Sequence, residues 1–206
     1  MSTAVLPYTV KPHPVTGIYN GKFSTWLFLA SEVMMFGAFF SSYVLLRISA
    51  PAQGPAAWPS HGETHLNWMI GAFNTLVLIL SSVTMVMAWA SLKMNNFANG
   101  RKYLAATLAL AVTFLLVKLA FEYVPHWRDG YTTTHSVFFG LYYTMTGLHG
   151  LHVLGGILVI GYFIGPGNLL WRQDPEHYTN RIECTGLYWH FVDLVWIFLF
   201  PTFYLL

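Results

Sequence analysis

The residues most able to do chemistry in this sequence are eight ionisable side chains embedded in long apolar stretches. A charge at the centre of a lipid bilayer costs about 2.5–3.5 kcal/mol on insertion scales, so each group needs a polar partner, a water-filled cavity or a neutral protonation state. Groups of this kind carry protons, pair with one another or ligate a metal or haem. The eight residues are Glu32, Lys118, Glu122, His149, His152, Glu183, His190 and Asp193.

Two pairs of these groups have helical spacing. Lys118 and Glu122 are four residues apart, and His190 and Asp193 are three apart, so each pair lies on one face of a helix. The first spacing predicts an ion pair within one helix, in the weaker orientation with the lysine first. The second spacing predicts that one helix turns both groups towards a neighbouring helix rather than towards lipid.

Three of the histidines, His149, His152 and His190, are candidates for metal or haem ligation, because imidazole is the commonest metal ligand. Against this, the apolar stretches contain no His-x-x-x-His, His-His or Glu-x-x-His pattern. Buried, hydrogen-bonded histidines are therefore the expected arrangement, and we assign no metal ligand and no catalytic residue. We also expect Glu122, His149 and His190 to form one polar cluster between helices.

Glu32 is a lone carboxyl group among Leu27, Phe28, Val33, Met34 and Phe36. Desolvation in such surroundings favours the neutral form of the acid. Two hypotheses follow: Glu32 carries protons, or it is a protonated structural residue hydrogen-bonded between helices. We expect it to face a partner subunit or a lipid-lined groove rather than open bilayer.

The composition indicates an integral membrane protein. Of 206 residues, 55% are hydrophobic and only 9% are charged, whereas soluble domains have about 25% charged residues. The net charge of +2 is too small to suggest nucleic-acid binding. The single cysteine allows no intrachain disulfide, and the polar start lacks the features of a cleaved signal peptide, so we expect the first apolar segment to be retained.

Five apolar segments are long enough to cross a bilayer. Because only helices and closed barrels satisfy the backbone in lipid, they predict an all-α integral membrane bundle of five transmembrane helices in a single domain. Pro125 is expected to end the third helix. The predicted segments, after a short tail over 1–22, are 23–46, 67–92, 103–124, 134–164 and 182–206.

The basic residues beside these segments predict the orientation. Seven lie on the side of the N-terminus, against two on the other side, with Lys118 inside a segment. We therefore expect a multi-pass protein of a bacterial inner membrane, with a cytoplasmic N-terminus and a periplasmic C-terminus.

Four motifs follow one another along the chain: Ser31-Glu32-Val33 with Phe36, Gly37, Phe39 and Phe40 after it, then Glu122-Tyr123, then Gly147-Leu148-His149-Gly150-Leu151-His152-Val153, and finally Tyr188-Trp189-His190-Phe191-Val192-Asp193-Leu194-Val195-Trp196. Together they resemble subunit III of the haem–copper oxidases, most closely that of cytochrome c oxidase in its five-helix bacterial form.

The resemblance implies a non-redox subunit of a respiratory complex that oxidises cytochrome c, reduces oxygen and pumps protons. Haem and copper would be held by the partner subunits I and II, and none by this chain. The chain would stabilise subunit I, support proton uptake and bind phospholipid, for which Trp68 and Arg101 are candidate contacts. Further respiratory complexes are additional candidate partners.

Other interpretations remain open at this stage. Many family members have two more helices that enclose a lipid-filled cleft, which the five segments here are not expected to form alone. Ser31-Glu32 and Tyr188-Trp189 favour the cytochrome c branch over a quinol oxidase or a relative associated with nitric oxide reductase. Outside the family, the alternatives are a stand-alone membrane haem or metal enzyme and a small transporter with Glu32 on its path.

Overall fold

The computed structural model describes residues 17, 19–53, 58–59 and 66–205, with side chains of the first helix described as far as Ala50. Most of the predicted tail, residues 1–16 and 18, and Leu206 lie outside the described residues. The described residues form helices and loops without strands, and five helices are long and apolar enough to cross a membrane. The predicted class, an all-α integral membrane bundle of five transmembrane helices, is confirmed.

The described residues contain seven α-helices: α1 Asn20–Gln53, α2 Trp68–Lys93, α3 Phe97–Lys118, α4 Val124–Arg128, α5 Val137–Ile164, α6 Asn168–Gln173 and α7 Pro175–Tyr204. A π-helical turn, Leu119–Tyr123, joins α3 to α4, so that one continuous span covers Phe97–Arg128. The 26 residues of α2 measure about 39 Å at 1.5 Å per residue, which exceeds the roughly 30 Å of bilayer hydrocarbon.

Two helices begin well before their predicted starts at residues 103 and 182, because polar residues cap them. Asn96 Oδ1 accepts a hydrogen bond from the Asn99 N–H (3.2 Å) at the start of α3. Asp174 Oδ1 accepts one from the His177 N–H (3.0 Å) at the start of α7, where Pro175 occupies the first turn. Side-chain caps of this kind accept hydrogen bonds from the free N–H groups of a first helical turn, so that the turn can form outside the apolar core.

Pro125 does not end the third span, and that prediction was wrong. The Val124 N–H bonds to the Leu119 carbonyl, five residues back, in the π turn that precedes the proline. In a regular α-helix, the proline ring would clash with the carbonyl four residues earlier. The wider π turn interrupts the α-helical register in which that clash occurs. The helix therefore continues for one more turn, with His126 Nδ1 donating to the Glu122 carbonyl (2.6 Å).

The central helix of the bundle is α7, which contacts α1, α2, α5 and α6. Two buried tryptophans of α7 donate indole N–H groups to α2: Trp189 to Ser81 Oγ (3.0 Å) and Trp196 to Thr75 Oγ1 (3.0 Å). Opposite Trp189 lies Gly156 of α5, where an added Cβ would be 2.4 Å from the indole ring. The close approach of α5 to α7 at this level therefore requires a glycine.

Candidate functional site

Four buried side chains form the first polar cluster, here called the Lys118 cluster: Lys118, Glu122, Tyr142 and Tyr204. The Lys118 ammonium donates to Glu122 Oε2, to the Tyr204 hydroxyl (2.5 Å) and to the Tyr142 hydroxyl (3.0 Å). Both tyrosines in turn donate to Glu122 Oε2, at 2.8 Å from Tyr142 and 2.5 Å from Tyr204. All three ammonium donors therefore have acceptors, and the ion pair expected from the spacing is formed.

The Lys118 cluster lies in the interior of the bundle, since Lys118 is 5% exposed and Glu122 1% exposed. The ammonium is also 4.9 Å from the Tyr142 ring centre and 5.0 Å from that of Trp196, distances at which an aromatic face attracts a cation. Charge-assisted hydrogen bonds are strong when shielded from water, and a buried ion pair is tolerated only with such support.

The π turn helps to bring Lys118 and Glu122 together. Lys118 is the last residue of α3, and Glu122 lies within the turn. A π turn contains more residues than the about 3.6 of an α-helical turn, so residues four apart lie more nearly one above the other. Turns of this type often mark functional sites in helices.

The second polar site joins α1 to α5 through Glu32 and His152. Glu32 Oε2 and His152 Nε2 are 2.9 Å apart, and His152 Nδ1 donates to the Leu148 carbonyl (2.8 Å). Nδ1 holds one proton, which it donates to the Leu148 carbonyl. A second proton joins Nε2 to Oε2 and is covalently bound to one of these two atoms. The pair is overall neutral in both arrangements, which suits its place in a membrane.

The Glu32–His152 pair is close to the lipid-facing edge of the bundle. The two side chains are 15% and 14% exposed. The Phe36 ring meets the imidazole edge-on at 5.4 Å, and the Tyr188 hydroxyl donates to the His152 carbonyl (2.8 Å). Glu32 therefore has a polar partner within this chain, and it does not project alone into the bilayer.

His190 and Asp193 both turn towards α2, as their spacing predicts. His190 Nδ1 is 2.5 Å from the Ser82 hydroxyl. Asp193 is 5% exposed, and neither carboxyl oxygen has a hydrogen bond among the described residues, although Ser82 lies close enough to interact with it. Of these two side chains, His190 is the one that forms a hydrogen bond with the Ser82 hydroxyl.

His149 is buried without a hydrogen bond from either ring nitrogen to the described residues. Its ring stacks on Trp196 at 5.2 Å and meets Phe114 edge-on at 5.8 Å. The prediction that Glu122, His149 and His190 share one polar cluster was wrong, because Glu122 bonds to Lys118 and two tyrosines while His190 bonds to Ser82. The expected hydrogen bonding of the histidines holds for His152 and His190 but not for His149.

Sequence reasoning missed three partners of the intramembrane charges. It did not identify Tyr142 and Tyr204, whose hydroxyl groups lie in segments otherwise interpreted as apolar packing. It also missed Lys22, whose ammonium is 2.6 Å from Glu183 Oε1 across α1 and α7. A tyrosine deep in an apolar helix is the signal that could have indicated the first two, because a buried hydroxyl needs a partner.

The candidate lipid contacts Trp68 and Arg101 are both exposed, Trp68 at 55%. Trp68 begins α2 and Arg101 lies in the first turns of α3, at opposite ends of the α2–α3 pair. One lipid headgroup therefore cannot contact both. Among the described residues, no three His, Cys, Asp or Glu side chains are arranged to hold a metal ion.

Comparison with known proteins identifies the family. The family model described as cytochrome c oxidase subunit III matches residues 11–206. The chain belongs to the cytochrome c oxidase subunit III family. It is subunit III of a haem–copper oxidase, and hence a multi-pass membrane component of an oxidase complex that associates with other oxidase subunits.

Similar proteins come from bacteria, archaea and animals, the last including Drosophila melanogaster. A cytochrome c oxidase subunit 3 of Synechocystis is 36% identical over 189 residues, which cover 89% of this chain and 75% of the relative. That of Thermostichus vulcanus is 38% identical over 185 residues, or 87% of this chain and 84% of the relative. A heme-copper oxidase subunit I+III of Aeropyrum pernix is 33% identical over 184 residues, covering 87% of this chain and 22% of that longer protein.

Proposed function

We propose that this subunit III is a non-redox subunit that stabilises subunit I and supports proton uptake, while haem and copper are held by the partner subunits I and II. The name of the Aeropyrum pernix relative, subunit I+III, supports a direct association with subunit I. The relatives named cytochrome c oxidase subunit 3 support cytochrome c as the electron donor of the complex.

The proposal for proton uptake depends on one observation, the Glu32–His152 contact of 2.9 Å near the lipid-facing edge of the bundle. The pair holds one exchangeable proton between a carboxyl group and an imidazole, two groups that commonly act as proton donors and acceptors in proteins. Its partial exposure at 15% and 14% leaves it open to water or to a group of a neighbouring subunit. The Lys118 cluster is closed off by comparison.

The Glu32→Gln variant tests this role. The glutamine amide can donate to His152 Nε2, so the link between α1 and α5 is kept while the exchangeable acid is lost. In oxidase complexes reconstituted into vesicles, we expect slower proton uptake per turnover with an unchanged subunit content. Glu176→Gln, at an exposed position in the first turn of α7, is the control and should behave as wild type. Proton uptake by Glu32→Gln at the wild-type rate would contradict the role.

We further propose that the whole chain forms one domain in a bacterial inner membrane, with its N-terminus in the cytoplasm. The distribution of basic residues supports this orientation. Arg47 and Arg128 are on the opposite side, and the residues on the N-terminal side are Lys11, Lys22, Lys93, Arg101, Lys102, Arg172 and Arg181.

Phospholipid binding is a separate proposal. Because Trp68 and Arg101 are at opposite ends of α2 and α3, each would contact a different lipid, one in each leaflet. Tryptophan at an interface and arginine near a phosphate are the chemical grounds for these contacts.

A further inference from the structure

His190 lies near the middle of α7 and inside the apolar segment predicted over 182–206. At 1.5 Å per residue, His190 is about 12 Å from Ile182, where the apolar segment begins, and about 21 Å from Tyr204, the last residue of the helix. Half of the bilayer hydrocarbon is about 15 Å thick. Interfacial water is therefore too distant to hydrogen-bond a ring nitrogen at this depth.

The two nitrogens of His190 have different surroundings. Nδ1 is 2.5 Å from the Ser82 hydroxyl of α2. Nε2 has no hydrogen bond among the described residues, and unlike the ring nitrogens of His149 it is not enclosed by the bundle. The ring lines a groove on the outer surface, so that Nε2 is available to a group outside this chain.

The groove lies between α2 and α7 and has a volume of about 240 Å³. Most of its walls are apolar, and Gly186 has no side chain to fill it. Val86 on its rim is 45% exposed. The groove is lined by Met85, Val86, Trp89, Gly186, Leu187 and His190 together with Ile182 and Glu183.

The occupant of this groove must satisfy a polar atom in the middle of the membrane. Acyl chains offer no hydrogen-bonding groups, and an unsatisfied polar group in hydrocarbon is costly. Transmembrane helices instead associate through small residues that allow close approach and through side-chain hydrogen bonds between helices. Gly186 and His190 supply these two features in one groove.

We propose that the groove between α2 and α7 receives a transmembrane helix of another oxidase subunit, which places a hydroxyl or carboxamide side chain against His190 Nε2. A hydroxyl or a carboxamide fits either tautomer, because each can both donate and accept a hydrogen bond. This inference rests on the proposed function, since it assigns a contact face to the association with other subunits.

Photocrosslinking within the purified complex tests the occupant. A photoreactive phenylalanine derivative replaces Val86 in the groove, and in the control it replaces Val159 of α5, a valine of similar exposure at 42%. Val86 lies seven residues before the end of α2 and Val159 five before the end of α5, on the same side of the membrane. We expect Val86 to give an adduct with another oxidase subunit and Val159 to give less of it.

The outcomes separate this inference from the proposed function. Adducts at Val86 with lipid alone, or with a second copy of this chain, in an intact complex would overturn the docking face and leave the subunit assignment standing. If unmodified chain does not co-purify with any haem-containing subunit, both proposals fail together.

Two substitutions of His190 test the nitrogen itself. In His190→Gln the amide nitrogen is near the place of Nε2, whereas in His190→Asn it is near that of Nδ1 and reaches only Ser82. Retention of this subunit in the complex during detergent titration should fall about three- to twentyfold for His190→Asn, the range of one hydrogen bond between membrane helices. It should stay near wild type for His190→Gln. Equal retention of the two variants would contradict the contact at Nε2.

Discussion

Removal of the charge on Lys118 should destabilise the subunit strongly, because it leaves a carboxylate without a counter-ion in the bundle interior. Lys118→Met keeps the length and apolar stem of the side chain but removes three donated hydrogen bonds, one of them to Glu122. Glu122 is 1% exposed and would retain only the two tyrosine donors. Breaking a buried ion pair in this way costs about 3–5 kcal/mol.

Glu122→Gln should cost a similar amount by leaving the ammonium unpaired, and the double variant distinguishes pairing from general damage. With both charges removed, the glutamine carbonyl still accepts from Tyr142 and Tyr204. Replacement of a whole buried pair is often neutral or stabilising by about 1–4 kcal/mol. The double variant should therefore be more stable than either single variant, with a coupling energy of at least about 3 kcal/mol in the cycle.

Unfolding of this subunit can be followed through Cys184, the single cysteine of the chain, which is partly buried beside Tyr19. Its reaction with a maleimide dye during an SDS titration, read on the gel band of this chain, gives the free energy of unfolding for each variant. Additive losses, so that the double variant is less stable than both single variants, would refute the reasoning that the two charges stabilise each other.

Two further substitutions test the packing and the capping that define the bundle. Gly156→Ala should lower stability by about 1–3 kcal/mol, because the new Cβ would lie 2.4 Å from the Trp189 ring. Gly161→Ala, on the same helix but with open space around it, should be neutral. Equal effects of the two variants in the SDS titration would argue against close packing at Gly156. Asp174→Ala should cost about 1 kcal/mol by removing the cap that accepts from the His177 N–H, and amide hydrogen exchange confined to the first turn of α7 is the expected signature. Unchanged exchange there would show that the cap is unimportant.

The five spans could be predicted because hydropathy alone detects long apolar segments. The ends of helices could not, because caps such as Asn96 and Asp174 act outside the apolar core, where hydropathy is low. Pro125 misled the prediction for a different reason. A π turn changes the backbone hydrogen bonding before the proline, and no single residue type in Leu119–Tyr123 predicts such a turn.

Contacts within one helix could be predicted from residue spacing, whereas contacts between helices could not. The Lys118–Glu122 pair follows from residues four apart, but its tyrosine partners come from α5 and α7. The rotation of each helix about its axis decides which side chains meet, and it depends on packing, such as the approach of Trp189 to α5. The prediction of one cluster of Glu122, His149 and His190 was wrong because it assumed particular rotations of the helices, which residue spacing does not determine.

The most direct test of the central claim is the haem and copper content of the oxidase complex before and after detergent removal of this subunit. The account predicts that haem and copper per subunit I stay unchanged and that the released chain has no visible haem band. Haem or copper lost in proportion to this chain, and recovered bound to it, would contradict the account.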